Sequence, residues 1–237
     1  MQEPELIAIC LEDTFQFACH CSVPCFNDCC RDLNQALSPY DVLRLRKHLG
    51  LSWPDFLLRY AEVHIGPATG LPVVSLRFSG GDDRRCPFVA DKGCRVYDAR
   101  PTSCRLYPLA RALRRNREDG GLSVHYALLR EPHCRGFEQS QRQTVRLWIA
   151  SQDMEQGLAA NDGLMALIAR KNSLRPGPLS PTEQHWLQMA LYDPDGLKTN
   201  VVGGRLEKMT MNPPPLSPDD RAWLAWGLVW IQDALFR

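Results

Sequence analysis

The chain lacks most of the features that assign a protein to a class at a glance. It has no excess charge of either sign: 28 Lys and Arg stand against 27 Asp and Glu, a net +1. No field of one sign therefore draws it to nucleic acid or to an anionic membrane, and neither is expected as a partner. The Arg cluster between Arg95 and Arg117 reads as a solvated face. Long apolar runs are missing too. Met1 to Asp13 has neither a basic segment nor an apolar core of signal-peptide length, so no secretory leader is expected. The most apolar late stretch, Ala222–Phe236, is too short for a bilayer and carries Gln232 and Asp233. There is no internal repeat, no low-complexity tract, and no Gly-rich nucleotide loop following a strand.

What the chain has in excess is thiol. Ten of its 237 residues are cysteines. A chain this long buries a core without cross-links, so small size does not force them on it. A cytoplasmic location is expected, and there thiols stay reduced. Ten cysteines then read as metal ligands or redox groups rather than disulfides, although export would make a disulfide framework the competitor. The first block is Cys19-x-Cys21-x3-Cys25-x3-Cys29-Cys30, and the second is Cys86-x7-Cys94-x9-Cys104. Cys134 comes later. Cys10, alone on an apolar segment, reads as a small buried hydrophobe.

Standard templates fail on spacing. The paired C-x2-C turns of a zinc ribbon are absent, as are the bacterial-ferredoxin run and the three-cysteine spacing of radical-SAM enzymes. Neighbouring side chains point apart, by about 180° in a strand and about 100° in a helix. Cys29 and Cys30 can hardly share one tetrahedral ion with Zn–S near 2.3 Å. They would bind different irons of a larger cluster, or belong to two adjacent sites. Four thiolates on Zn²⁺ or on a [4Fe–4S]²⁺ core leave about −2, which calls for nearby donors and cations. Arg31, Arg95, Arg100, Arg105 and Arg135 flank the cysteines and are candidates. His20 and His133 adjoin cysteines and are weaker candidates as ligands.

The rest reads as an α+β protein: helix-rich, with a small antiparallel hairpin or sheet built around the cysteine centre. Residues 1–140 would form the metal-binding domain and 141–237 a helical extension packed on it. Ser38-Pro39 with Asp41 opens a helix that Gly50 ends, and Ser52 with Asp55 opens another through about Glu62. Val73 to Phe78 reads as a strand closed by Ser79–Asp83. Leu106–Leu113 and Leu122–Leu129 read as a hairpin, with Leu122, Val124, Tyr126 and Leu128 on its half-buried face. Helices follow over Thr144–Gln156, over Leu164–Arg170 after a break at Asn161-Asp162-Gly163, and from Ser180-Pro181 to Tyr192. Residues 193–217 read as loosely structured. Ser217-Pro218 caps a last helix, apolar nearly all round, which buries against the domain or a partner.

Two signatures together resemble the YkgJ-type cysteine-cluster family, whose domain is described as chelating zinc or iron. The first is Phe17-Ala-Cys19 with Cys25-Phe-Asn-Asp-Cys29-Cys30-Arg31-Asp32-Leu33-Asn34. The second is Cys86-Pro-Phe with Gly93-Cys94-Arg-Val-Tyr97-Asp-Ala-Arg100-Pro101-Thr-Ser-Cys104-Arg105-Leu-Tyr-Pro108. The resemblance covers about residues 15–136. It implies metal ligation by Cys19, Cys25, Cys29, Cys30, Cys86, Cys94, Cys104 and Cys134, with an iron–sulfur cluster preferred and zinc the alternative. This chain spreads out the family's compact C-x2-C-x2-C-C run, leaving Cys21 supernumerary. A family relative that methylates protein lysines with S-adenosylmethionine carries a similar cluster, but no residues here transfer that activity.

Three functions fit these observations. The first is a structural, electron-transfer or sensing metal protein, with a redox or other protein partner. The second is a cluster-dependent enzyme, of protein-lysine methylase or redox type, drawing on His125, His133, Tyr97, Tyr107 or Asp98. The third is an interaction module, docking through Trp223, Trp226 and Trp230 and held by a structural zinc.

Overall fold

The computed structural model describes residues 3–31, 34–78, 84–115, 122–206, 212–214 and 219–236. The expected turn at Ser79–Asp83, the loop at Glu118–Gly121 and the cap at Ser217-Pro218 lie outside them. The strands run in order β1 (Glu5–Ile9), β2 (Thr14–Gln16), β3 (Ala36–Leu37), β4 (Ala61–Ile65), β5 (Pro72–Leu76), β6 (Val89–Ala90), β7 (Gly93–Cys94), β8 (Leu109–Arg115), β9 (Leu122–Arg130) and β10 (Arg142–Thr144). The helices are α1 (Pro39–Leu49), α2 (Trp53–Tyr60), α3 (Thr102–Leu106), α4 (Val145–Ser151), α5 (Glu155–Leu174), α6 (Pro181–Tyr192), α7 (Pro194–Val202) and α8 (Asp220–Phe236). The fold is α+β, with small antiparallel sheets. No helix among the described residues is long and apolar enough to cross a membrane.

The backbone gathers into two units, each made of two chain segments: residues 1–33 with 78–158, and residues 34–77 with 159–237. Sequence pattern alone suggests a single boundary, at residue 140. α5 begins in the first unit and continues into the second.

The first unit carries all ten cysteines. Its main sheet has strand order β1-β9-β8, antiparallel throughout, with Ile7 opposite Leu128 and Leu109 opposite Leu128 on the other side. The first hairpin arm starts at Leu109 rather than Leu106, because Thr102–Leu106 is the short helix α3. The expected buried face holds only at one end of β9. Tyr126 and Leu128 pack on the core, whereas Leu122 and Val124 are exposed. Beneath the sheet lie Phe15, Phe17, Leu106, Leu109, Val145 and Met154. Phe17 is the keystone, 1 % exposed, with Tyr107, Phe137 and Trp148 edge-on to it at centroid distances of 5.9, 5.3 and 5.6 Å. Such contacts add about 0.5–1.5 kcal/mol each beyond area burial. β2 pairs with β10, Phe15 opposite Gln143, which fixes the chain just before the first cysteine block.

The second unit is mostly helical. α1 starts with a full capping box, the Ser38 side chain accepting from the Asp41 N–H and Asp41 returning to the Ser38 N–H, and Gly50 ends it at φ 64°. α2 stops at Tyr60, two residues short of expectation, where the Arg77 guanidinium donates to the carbonyls of Leu58 and Ala61, both at 2.7 Å. Around β5 the short strands β3 and β4 form an antiparallel sheet. Ser180 and Glu183 build a second capping box at α6.

Two helical expectations need correction. α5 runs unbroken through Asn161-Asp162-Gly163, and Gly163 has a packing reason: a Cβ there would stand 2.9 Å from Leu228 Cδ2. Part of the stretch expected to be loose is helix α7, capped by the Asp193 carboxylate on the Gly196 N–H at 3.1 Å, with Pro194 at the first turn. The Trp docking face is also overturned. Trp223, Trp226 and Trp230 are 0, 6 and 1 % exposed within the chain, so the tryptophans of α8 serve its core and not a partner.

Candidate metal centre

The first cysteine block is a run of tight turns. Val23 N–H donates to His20 O, Phe26 to Val23, Asp28 to Cys25 and Cys30 to Asn27, all within 2.9–3.0 Å. Asn27 makes this possible by taking the left-handed conformation, φ 73°, which Asn tolerates better than most residues. Its side chain reaches across to donate to Ala90 O at 3.1 Å. The turn ends in a 3₁₀ segment, Asp28–Cys30. There the thiols of Cys29 and Cys30 are hydrogen-bonded to each other.

The second block joins the first by backbone. Cys86 N–H donates to Cys30 O at 2.9 Å, and Arg31 bridges Arg85 antiparallel. β6 and β7 then form a two-residue ladder that sets Val89 opposite Cys94. Gly93, at φ 116°, is the glycine this hairpin needs, and Phe26 Cζ would lie 3.2 Å from any Cβ there. Cys134 arrives from the end of β9. Ala18 N–H donates to Gly136 O at 3.1 Å, which ties this segment to the first block.

Four thiols line one small cavity: Cys19, Cys25, Cys29 and Cys134, together with Phe17, Val23, Tyr107 and His133. Cys29 also lies close enough to Cys86 and Cys94 to affect their ionisation, so it is common to both groups. Burial, with Cys29, Cys25 and Cys134 behind it, pushes the Cys19 thiol up to about 11. The hydrogen bond to Cys30 and then burial drive Cys29 well above the ordinary thiol range. Burial is likewise the first cause of the upward shifts at Cys86, Cys94 and Cys134. Burial and mutual proximity thus both disfavour the thiolate forms.

Opposing this, backbone N–H groups are aimed at the sulfurs. Cys86 receives Phe88 and Val89, Cys94 receives Val96, and Cys134 receives Gly136. In all three a donor stands two residues after the cysteine. Arg135 N–H donates to Cys25 Sγ at 3.0 Å. Such bonds stabilise sulfur as thiolate, the form that ligates metal. Hence the donor set fits a thiophilic metal in its chemistry. Among the described residues no three His, Cys, Asp or Glu stand close enough to hold one ion.

The other predicted residues scatter. Cys104 is exposed on α3 and does not line the cavity. Cys21 and His20 are exposed and away from it. Cys10 is exposed, contrary to expectation, because β1 ends in a turn where its N–H donates to Asp13 Oδ2 at 2.8 Å. Among the flanking cations, Arg100 faces both Cys19 and Cys94 and lies over the Tyr97 ring, 3.7 Å from its centroid. Arg95 also acts on Cys94. Arg105 is structural. It is buried and donates to the carbonyls of Asp98, Arg100 and Gln152. Arg135 contributes its backbone, while its guanidinium pairs with Glu138 at 2.8 Å.

Of the five polar groups proposed for an enzyme, Tyr107 and His133 line the cavity. His133 Nε2 stands 3.7 Å from the Glu131 carboxylate. His125 sits on β9 beside Ser123 Oγ at 3.0 Å, and Tyr97 is exposed beneath Arg100. Sequence reasoning missed Glu131 and the N–H donors at Phe88, Val96 and Gly136. A turn two residues beyond a cysteine has no side-chain signature.

Residues 20–145, a little over half of the chain, match the CxxCxxCC family, described as "Putative zinc- or iron-chelating domain". The chain belongs to this family. The match takes in Cys21 to Cys30, the inserted helices α1 and α2, the second cysteine block and Cys134. It begins one residue after Cys19. No curated protein and no solved structure matches the chain.

Proposed function

We propose that this CxxCxxCC protein holds an iron–sulfur cluster, in preference to zinc, on thiolates from both cysteine groups. Cys19, Cys25, Cys29 and Cys134 surround the cavity. Cys30, Cys86 and Cys94 interact with Cys29, and Cys104 completes the set implied by the family. The carrying observation is the convergence of four thiols on one cavity with backbone N–H groups already directed at their neighbours' sulfurs. Cys29, shared by the two groups, favours a polynuclear centre, whose thiolates stand further apart than those on one zinc.

A bound cluster supplies one-electron chemistry, as an electron-transfer or sensing element, or a purely structural tie. The chain's own contributions are separate. Phe17 and Val23 keep one wall apolar, Arg100 and Arg95 offset the anionic charge, and the N–H donors hold the sulfurs in place. The reading includes a redox or other protein partner and a reducing, cytoplasmic compartment, where thiols stay available as ligands.

The test is metal and acid-labile sulfide analysis of anaerobically purified protein, beside Cys29→Ala. Brown protein with iron and sulfide in cluster proportion, lost in the variant, is expected. Colourless protein with stoichiometric zinc would sink the iron–sulfur version, and metal-free protein under all conditions would sink the whole reading. A second reading, a cluster-dependent enzyme, draws on Tyr107 and His133 beside the thiols. Titration calorimetry with S-adenosylmethionine tests its methylase version, which a lack of binding by reconstituted protein removes.

A further inference from the structure

We infer that Tyr107 is a positioning residue of the centre, donating its hydroxyl hydrogen to the Cys134 sulfur once that sulfur is a metal-bound thiolate. The inference rests on the metal reading above. Tyr107 follows α3 directly, and its ring is clamped edge-on by Phe17 at 5.9 Å. From there it lines the same cavity as Cys19, Cys25, Cys29 and Cys134. Its hydroxyl is buried and makes no hydrogen bond of normal geometry, although it lies against Cys134 and Glu131. A buried donor without an acceptor is destabilising, and proteins seldom keep one without a use.

The hydroxyl has neighbours, but none stands in hydrogen-bonding geometry to it. A neutral thiol accepts weakly, whereas a thiolate is a charged acceptor that forms roughly twice as strong a bond. A metal on the cavity sulfurs would order the Cys134 side chain beside the buried hydroxyl and give it the acceptor it lacks. The Gly136 N–H already serves that sulfur, and Tyr107 supplies a second donor. Glu131 is the rival acceptor. Its carboxylate is partly exposed, and it faces His133 at 3.7 Å. It therefore has other partners.

The experiment compares wild type, Tyr107→Phe and Glu131→Gln, each loaded with zinc(II) or reconstituted with iron and sulfide, whichever wild type retains. Metal loss to a chromophoric chelator is measured, and metal-free protein is melted in parallel. Tyr107→Phe is expected to hold metal about tenfold less tightly. Its metal-free form should melt at or above the wild-type temperature, because an unpartnered hydroxyl is gone. Glu131→Gln should hold metal as well as wild type. Equal retention in Tyr107→Phe overturns the inference while leaving the metal reading intact. A lower metal-free melting temperature assigns Tyr107 to plain core support and also overturns it. Matching losses in both variants make the carboxylate the partner and overturn it as well. Wild type that retains neither metal removes the reading underneath.

Discussion

Replacing Gly136 with alanine tests how the aromatic core and the cysteine centre are joined. A Cβ at this position would stand 2.4 Å from Phe17 Cε2, 2.9 Å from Phe17 Cδ2 and 2.9 Å from Ala18 O. The ring cannot move aside, because Tyr107, Phe137 and Trp148 hold it on three sides. Nor can the backbone drift, because Gly136 O accepts the Ala18 N–H at 3.1 Å. Forcing a methyl into such a site costs about 1–3 kcal/mol. Restricting the unfolded chain returns about 0.4–1 kcal/mol of that. The balance is a destabilisation of about 1–2 kcal/mol, which lowers the melting temperature of metal-free protein by about 3–8 °C. Because the Gly136 N–H faces the Cys134 sulfur, metal retention should weaken in the same variant. Scanning calorimetry and chelator competition read the two effects. A variant that melts at or above wild type would refute the close approach of Phe17 and everything built on it.

Further outcomes follow from other parts of the chain. Arg175, with the Ser180 N–H behind it, holds the Glu183 carboxyl down at about 2, against an ordinary value of 4.5. Its contribution is therefore complete above about pH 4.5 and disappears as pH falls toward 2. Acid-unfolding curves of Glu183→Gln should be flatter across that window, with at most about 1 kcal/mol lost at neutral pH, because Gln keeps the capping-box bond and loses only a partly exposed ion pair; an unchanged acid limb would contradict this. Trp230→Ala, which empties a site 1 % exposed beside Trp186 and Trp226, should cost about 3–5 kcal/mol by denaturant titration. A near-neutral result would return the tryptophan face of α8 to the surface. Cys10→Ser, on an exposed turn, should leave metal stoichiometry untouched in elemental analysis; loss of metal would enlarge the ligand set.

The parts of this fold written in local chemistry are legible in the sequence. Ser38 with Asp41 and Gly50, and Ser180 with Glu183, mark helix ends through bonds within four residues, so their effect does not depend on the rest of the molecule. α7 uses the same device at Asp193, hidden among turn-forming Pro and Gly residues. Gly163 looks like a helix breaker in sequence because its reason for being small, the close pass of Leu228, is tertiary. The pairings of β1 with β9 and β2 with β10 join residues more than a hundred positions apart, and no local pattern chooses such partners. The cysteines announce the centre by density and spacing. Which of them share a cavity depends on where the turns at Asn27 and Gly93 aim them, and Cys104 shows that order in sequence is not order in space.

The ladder between Cys30 and Cys86 bears on how the protein can vary. The chain leaves the cysteine unit after residue 33 and re-enters it at residue 78, and Arg31 and Arg85 near the two ends are fastened together by backbone. Bringing the ends of so long an excursion together costs on the order of 3–4 kcal/mol, and this backbone pairing is one of the contacts that offset it. Lengthening the inserted segment would raise that closing cost only slowly, by about 0.6 kcal/mol for each doubling of its length.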